Sequence, residues 1–449
     1  MEHIEAVKLV QKIERERRVM DIKCNGVSVW PFLRIYLADA LSDTVRVQNV
    51  NSKTFFSVFK GLLFYGIIPA FKLKPIWVFT NIERRKNLGS KKIHRVCGAI
   101  AELKNESTLF WEKPSVNSKP CSKKERVEKN IISEAIILLL TNIIKIFIRI
   151  KKIDEAHIIE DIIKDYNISF NYKERINHLF AQYKAMKILL KFSPLPKVVF
   201  IESPFSEMGV IMAFKEKKIR VIELQHGVIN EHHLGYNSPF PSQNLHPDGI
   251  CVYGETEYDF FTKVQKNYCD EVYISGYYFI DKANDYFKKD IFADYRKKYK
   301  KIILVSGQEP EERLFSFIEL LSESKDFLFI YVPRYKYTSS NCRDNLIVKN
   351  GANIYECLKW CDIHMTMYST TCLEAQFFGK PTIFYNIENI SNQYYGETLS
   401  EENGCFYIDT YNGFLSAMSS LEKKKIVYKE MFAHDTLKNM EKMLKKYLK

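Results

Sequence analysis

Gln225-His226-Gly227 follows directly on Ile219-Arg220-Val221-Ile222-Glu223-Leu224. That apolar, β-branched run, bounded by charge, reads as a buried parallel strand. A histidine at the carboxyl end of such a strand stands where open α/β sheets bind ligands. Its near-neutral pKa suits His226 to general-base work on a hydroxyl. The same place also fits a histidine that bonds backbone, or one that donates to a sugar phosphate. Gly227 lets the chain turn sharply or lets a ligand come close. Glu202 ends a second strand-like run, Lys197 to Glu202, and is the other candidate base. His232 and His233 follow in a loop with Asn230 and Glu231. They are candidates for the acceptor side of a pocket, although paired loop histidines are more often simply solvated.

A second cluster, Tyr368-Ser369-Thr370-Thr371-Cys372-Leu373-Glu374-Ala375, lies about 140 residues later. Ser369, Thr370 and Thr371 follow a strand and open a helix. Free N–H groups and hydroxyls there suit a phosphate, and the same residues suit an ordinary N-cap. Glu374, one turn into that helix, can accept hydrogen bonds from both hydroxyls of a ribose. Gly379 then closes the helix and Pro381 re-enters the sheet. Two such sites on two halves suggest a cleft enzyme that takes one substrate from each side.

The elements that must hold these residues alternate between strand and helix. Residues 4–20 read as a charged helix, Val27 to Pro31 as a short strand, and Phe32 to Leu41 as a helix. Ile76 to Thr80 is a buried strand, residues 113–128 a Lys-, Ser- and Pro-rich surface loop, and Ile153 to Leu190 helical. From 197 the rhythm is regular, with strands at Lys197–Glu202, Arg220–Leu224, Gly249–Tyr253 and Glu271–Ser275. After a Lys- and Asp-dense stretch at 283–301 a second series begins, with strands at Ile302–Val305, Phe327–Val332, Leu346–Val348, Ile363–Met367 and Thr382–Tyr385. Such alternation builds parallel sheets with crossover helices.

The segment 368–375, with Gly379-Lys380-Pro381-Thr382-Ile383, resembles the donor-binding segment of GT-B glycosyltransferases. It is most similar to bacterial surface-polysaccharide enzymes: capsule synthesis proteins, sialyl- and Kdo-transferases, and the polyol-phosphate transferases of teichoic acid synthesis. Leu224-Gln225-His226-Gly227, Pro247 to Gly254 and Ile274-Ser275-Gly276-Tyr277 resemble parts of their first domain. The resemblance covers about residues 197–390. It implies two Rossmann-like domains facing a central cleft, here 1–280 on the acceptor side and 281–449 on the nucleotide side. It also implies that Gly307 and Gln308 lie near the donor phosphates. Where sialyltransferase-like members carry a His-Pro pair, this chain has Tyr331-Val332-Pro333-Arg334-Tyr335-Lys336. Arg334 and Lys336 can neutralise a phosphate in its stead.

Composition bounds the rest. A chain of 449 residues, 46% hydrophobic and 27% charged, is globular and long enough for two domains. The formal charge of +13 favours anionic partners, and compositional bias toward Lys accounts for it equally well. The basic residues are spread rather than striped with aromatics, which argues against nucleic acid. Ten cysteines without metal spacing, and a polar start without a signal peptide, indicate reduced thiols in the cytoplasm. No metal and no cofactor is implied. Phe55 to Phe71 and Ile131 to Ile150 are apolar, but interrupted by charge and flanked by Lys and Arg. They fit helices lying on the anionic inner-membrane surface, or core helices, better than a span of about 20 apolar residues.

The expected function is transfer of a sugar from a nucleotide-activated donor to a glycan or lipid-linked glycan acceptor, in capsule, O-antigen or related synthesis. The alternatives are a polyol-phosphate transferase using a CDP-linked donor, and a non-catalytic nucleotide- or glycan-binding partner in the same pathway.

Overall fold

The computed structural model describes residues 3–42, 63–66, 68–115, 120–148, 150, 152–231, 233–240, 244–308, 310–338 and 343–448. His232 and residues 55–62 of the first apolar stretch lie outside them. Two α/β units are present: unit 1 is Met1–Tyr278 with Asp435–Lys449, and unit 2 is Phe279–His434. The last segment, which the sequence division at 280/281 leaves with the second domain, is thus part of unit 1. Its helix Thr436–Leu448 buries Met440, Met443 and Leu444 in that unit's core.

Unit 1 opens with a hairpin of β1 (Lys23–Cys24) and β2 (Val27–Ser28). Next come β3 (Ile76–Asn81), a second hairpin of β4 (Arg85–Leu88) and β5 (Lys91–His94), β6 (Thr108–Lys113) and β7 (Ile131–Ser133). The unit continues with β8 (Val198–Ile201), β9 (Arg220–Leu224), β10 (Gly249–Val252) and β11 (Glu271–Ile274). Seven of these strands form one parallel sheet in the order β7-β6-β3-β8-β9-β10-β11. Burial on both faces explains why β3, β6 and β8 are near-continuous apolar runs. One face is packed by Trp77, Trp111 and Phe214, the other by Phe110, Phe200 and Ile100.

Unit 2 holds β12 (Lys301–Ser306), β13 (Phe327–Val332), β14 (Leu346–Val348), β15 (Ile363–Thr366), β16 (Thr382–Tyr385) and β17 (Cys405–Ile408). They form a parallel sheet in the order β14-β13-β12-β15-β16-β17. Each unit's first six sheet strands therefore follow the Rossmann order 3-2-1-4-5-6. The order reverses between β3 and β8 in unit 1 and between β12 and β15 in unit 2. The α/β class with two Rossmann-like units expected from the sequence is what the chain adopts.

Several elements differ from the sequence reading. The expected strand Val27–Pro31 stops at Ser28, and the helix is Trp30–Leu41 with Pro31 in its first turn, where a missing N–H costs nothing. Ile131–Ile150 is not one apolar helix: it starts as the buried strand β7 and becomes a helix only at Ala135–Phe147. The long helical stretch from Ile153 is two helices, Ala156–Asp165 and Tyr172–Phe192. Neither β6 nor the β4–β5 hairpin was foreseen.

Candidate functional site

In an open parallel sheet the crevice forms where the strand order reverses, because the crossovers leave to opposite faces there. In unit 1 that point lies between the ends of β3 and β8, and Glu202 is the first residue beyond β8. Its carboxylate spans the reversal: Oε2 accepts the Asn81 N–H at 2.8 Å and the Thr80 hydroxyl at 3.4 Å. Oε1 has no hydrogen-bond partner among the described residues, and the Arg84 guanidinium stands 3.9 Å from it. Glu202 is 3% exposed. Burial pushes its pKa up to about 7, against the opposing pull of Arg84, the Asn81 amide and Arg95.

His226 stands two residues beyond β9, the next strand over. Its ring hydrogen-bonds the Glu202 backbone, while Nδ1 has no partner among the described residues. Burial, followed by the charges of Arg84, His233 and Arg95, pushes its pKa down to about 3. The ring is therefore neutral at physiological pH. Gln225 fixes the turn. Its Nε2 donates to Gly227 O at 2.9 Å and Glu257 Oε1 at 3.2 Å, and its Oε1 accepts the Tyr253 N–H at 2.6 Å. Gly227 does not have a left-handed φ, so no sharp turn requires it, and among the described residues nothing lies within 4 Å of the position a Cβ would take. His233 packs on Tyr236 and Phe205, and its Nδ1 accepts the Gly235 N–H at 3.2 Å.

Two arginines that the sequence reading passed over complete this end of the sheet. Arg84 and Arg95 flank the β4–β5 hairpin, and Arg95 N–H donates to Arg84 O at 3.1 Å. Buried His94 anchors the hairpin to β3 through Asn81 O at 3.0 Å and Thr80. The sequence signal was Glu83-Arg84-Arg85, placed directly after a strand that was recognised. A cavity of about 10 Å³, room for one water, lies among Arg95, Gln225, Tyr253 and Tyr277.

In unit 2 the reversal brings Ser306, which ends β12, and the following Gly307-Gln308 beside Met367 to Thr371, after β15. Gly307 is demanded by space: a Cβ there would meet Pro333 Cα at 2.7 Å and Arg334 N at 2.8 Å. Glu311 braces that contact, its Oε1 accepting the Arg334 N–H at 2.9 Å and the Tyr331 hydroxyl at 3.1 Å. The Arg334 backbone is thus fixed beside Gly307, while the side chains of Arg334 and Lys336 are exposed.

The three hydroxyl residues do different things. Ser369 Oγ accepts the Thr371 N–H at 3.4 Å, Thr370 makes no capping bond and is exposed, and Thr371 Oγ1 is bound to His364 Nε2 at 3.2 Å. His364, also unforeseen, is fully buried in β15 and bonds Ser306 at 2.8 Å and Thr382 at 3.2 Å. Burial pushes it down to about 3, so it ties three elements together as a neutral group. Glu374 is 8% exposed, and its Oε1 accepts the Tyr355 hydroxyl at 3.0 Å.

The chain matches no protein-family model and no curated protein in sequence. Solved structures of similar fold include the glycotransferase of kitacinnamycin, at 12% identity and a TM-score of 0.48, covering 84% of this chain and 100% of that one. The UDP-GlcNAc 2-epimerase from Methanocaldococcus jannaschii aligns at 12% identity and a TM-score of 0.47, covering 83% and 99%. The wall teichoic acid polymerase TagF aligns at 11% identity and a TM-score of 0.43, covering 86% and 91%.

Proposed function

We propose that this chain is a glycosyltransferase that moves a sugar from a nucleotide-activated donor to a hydroxyl of a glycan or lipid-linked glycan, in bacterial surface-polysaccharide synthesis. The observation that carries the reading is the pair of Rossmann-ordered sheets with differently furnished reversal points. One offers a buried carboxyl poised near neutrality, the other hydroxyls and cations suited to phosphate.

In this reading unit 2 takes the nucleotide. Arg334 and Lys336 neutralise its phosphates, Gly307, Gln308, Ser369 and Thr370 line them, and Glu374 receives the ribose. Unit 1 takes the acceptor. Glu202 removes the proton of the acceptor hydroxyl as the new glycosidic bond forms and the sugar–phosphate bond breaks. The electron pair of the broken bond leaves on the nucleotide, where cations offset it. A base with a pKa near 7 is well matched to that step. His226, too weakly basic to keep a proton, accepts a hydrogen bond at Nδ1 and orients the hydroxyl. A screen of melting temperature against UDP, GDP, CMP and CDP tests the reading, since a ligand of the native state stabilises it. A shift with one nucleotide is expected; no shift with any would sink it.

A peripheral place on an anionic membrane fits the same reading. The helix Ala135–Phe147 carries Ile136, Leu140, Ile143 and Phe147 along one stripe, with Ile143 52% and Phe147 80% exposed. A groove of about 260 Å³ lined by Phe71, Ile136, Leu189 and Phe192 continues it. Among the described residues no helix is long and apolar enough to cross a membrane, so contact would be interfacial. Sedimentation with anionic liposomes is expected to pull down the chain and to release Ile143→Ser/Phe147→Ser. Equal binding by both would discard the surface.

A further inference from the structure

We infer that the acceptor is held by an oxyanion substituent, a phosphate or a carboxylate, which Arg84 and Arg95 grip next to the hydroxyl that reacts at Glu202. The inference rests on the acceptor reading of unit 1 and gives that acceptor a chemical class.

Three arginines meet at this end of the sheet, and they are not equivalent. Arg85 is fully engaged, with Glu112 and Glu128 each 2.6 Å from its guanidinium. Its charge is internal structure. Arg84 remains 29% exposed, and its ion contact is with Glu202 at 3.9 Å, too long for a hydrogen bond. Glu83, next to it in the chain, is turned away to Ser115. Arg95 reaches the same spot from the neighbouring rung, its Nη2 3.4 Å from His226 O. Two guanidinium charges therefore face one carboxylate, and the two histidines beside them, His94 and His226, are neutral.

Arginine forks match carboxylate and phosphate oxygens bidentately, and Arg84, in only loose contact with Glu202, keeps its fork within reach of solvent. Glu202 Oε1 and His226 Nδ1, both closed to bulk water and both lacking a hydrogen bond among the described residues, supply the adjoining place for a hydroxyl donor. Since Arg84 lies 3.9 Å from Glu202, the anion and the hydroxyl must sit on one sugar unit, or on directly linked ones. A diphosphate many units away on a lipid carrier does not meet that condition.

The test is isothermal titration of the full chain with glucose 6-phosphate, glucuronate and glucose as probes, beside UDP. At least one anionic probe should bind and glucose should not, and the two anionic arms tell phosphate from carboxylate. Arg84→Gln/Arg95→Gln should weaken the anionic probe about tenfold or more and leave UDP unchanged. Arg84→Lys should recover part of the loss, and Glu202→Gln should bind at least as well as wild type. Should the double variant not fold, Arg84→Gln alone decides. The inference is overturned if neither anion binds, if the arginine variants bind like wild type, or if the loss follows Arg334→Ala/Lys336→Ala instead. UDP failing to bind while the anion still depends on Arg84 would sink the nucleotide-transfer reading and leave the anion site standing.

Discussion

The two units share a strand order and place their reversal points alike, yet they furnish them oppositely. In unit 1 the crevice residues are ionisable and buried: Glu202 is pushed up to about 7, His226 down to about 3, and two guanidiniums lie close by. In unit 2 the buried ionisable group nearest the reversal, His364 inside β15, is locked as a neutral tie between Ser306, Thr371 and Thr382. What is exposed there is Thr370, Arg334 and Lys336, with Gln308 half-buried beside them. Topology decides where a ligand can sit. Burial decides whether the residues there are tuned to move a proton or to hold a charge. A unit that must change protonation state needs low dielectric; one that only grips phosphate is better served by solvated cations.

The largest effect should separate Glu202 from His226. Glu202→Gln is expected to lower turnover by about 10²–10⁴-fold, the range of general-base help. His226→Ala should cost only about tenfold, the scale of one hydrogen bond. Wild-type turnover should rise through pH 7, and Glu202→Gln should lose that limb. Stability carries the same sign. A folded pKa of about 7, raised from the ordinary 4.5 of a glutamate, means that the native state holds the proton more tightly. The penalty therefore accrues as pH rises from about 4.5 to 7, and Glu202→Gln should be relatively more stable at pH 8 than at pH 4. A larger loss at His226 than at Glu202 would give the base role to the histidine.

The nucleotide side should respond in affinity rather than in turnover's pH profile. Glu374→Ala is expected to weaken nucleotide binding by about 1.5–3 kcal/mol, the worth of hydrogen bonds to a charged group. Arg334→Ala/Lys336→Ala should raise the donor KM and lower turnover, with the pH limb near 7 unmoved. Calorimetry that finds nucleotide affinity unchanged in Glu374→Ala would remove the ribose role. Unaltered kinetics in the double variant would take both cations out of the site.

Strand–helix rhythm made most of the sheet readable, because β8, β9, β10, β12, β13, β15 and β16 are apolar runs bounded by turn residues. β7 hid inside a longer apolar stretch, since a short buried strand and a buried helix share composition. His226 and Glu202 were legible as strand-end residues. Their divergence in pKa was not, because it comes from burial and from Arg84 and Arg95, far away in sequence. Ser369 to Thr371 read as one anion-binding group, but Thr371 is spoken for by His364, seven residues earlier and in the middle of a strand. No local pattern announces such a tertiary bond.

The smallest effect compares the two strand-end glycines, which look alike in sequence. Gly307 has backbone on its vacant side, with Pro333 Cα 2.7 Å and Arg334 N 2.8 Å from where a Cβ would stand. Neither atom is the loose end of a side chain, and Glu311 holds the Arg334 N–H in place. Gly307→Ala must therefore push β12's end away from β13's, a form of overpacking that costs about 1–3 kcal/mol. Among the described residues nothing lies within 4 Å of the missing Cβ of Gly227, and its φ is not left-handed, so Gly227→Ala should stay within about 0.5 kcal/mol of wild type. Urea unfolding measures both, read through the transition of the unit concerned. Equal stabilities would mean that the Gly307 contact relaxes without cost. A large loss at Gly227 would mean that its open space is filled in solution, as expected if a ligand or an ordered loop approaches the chain there.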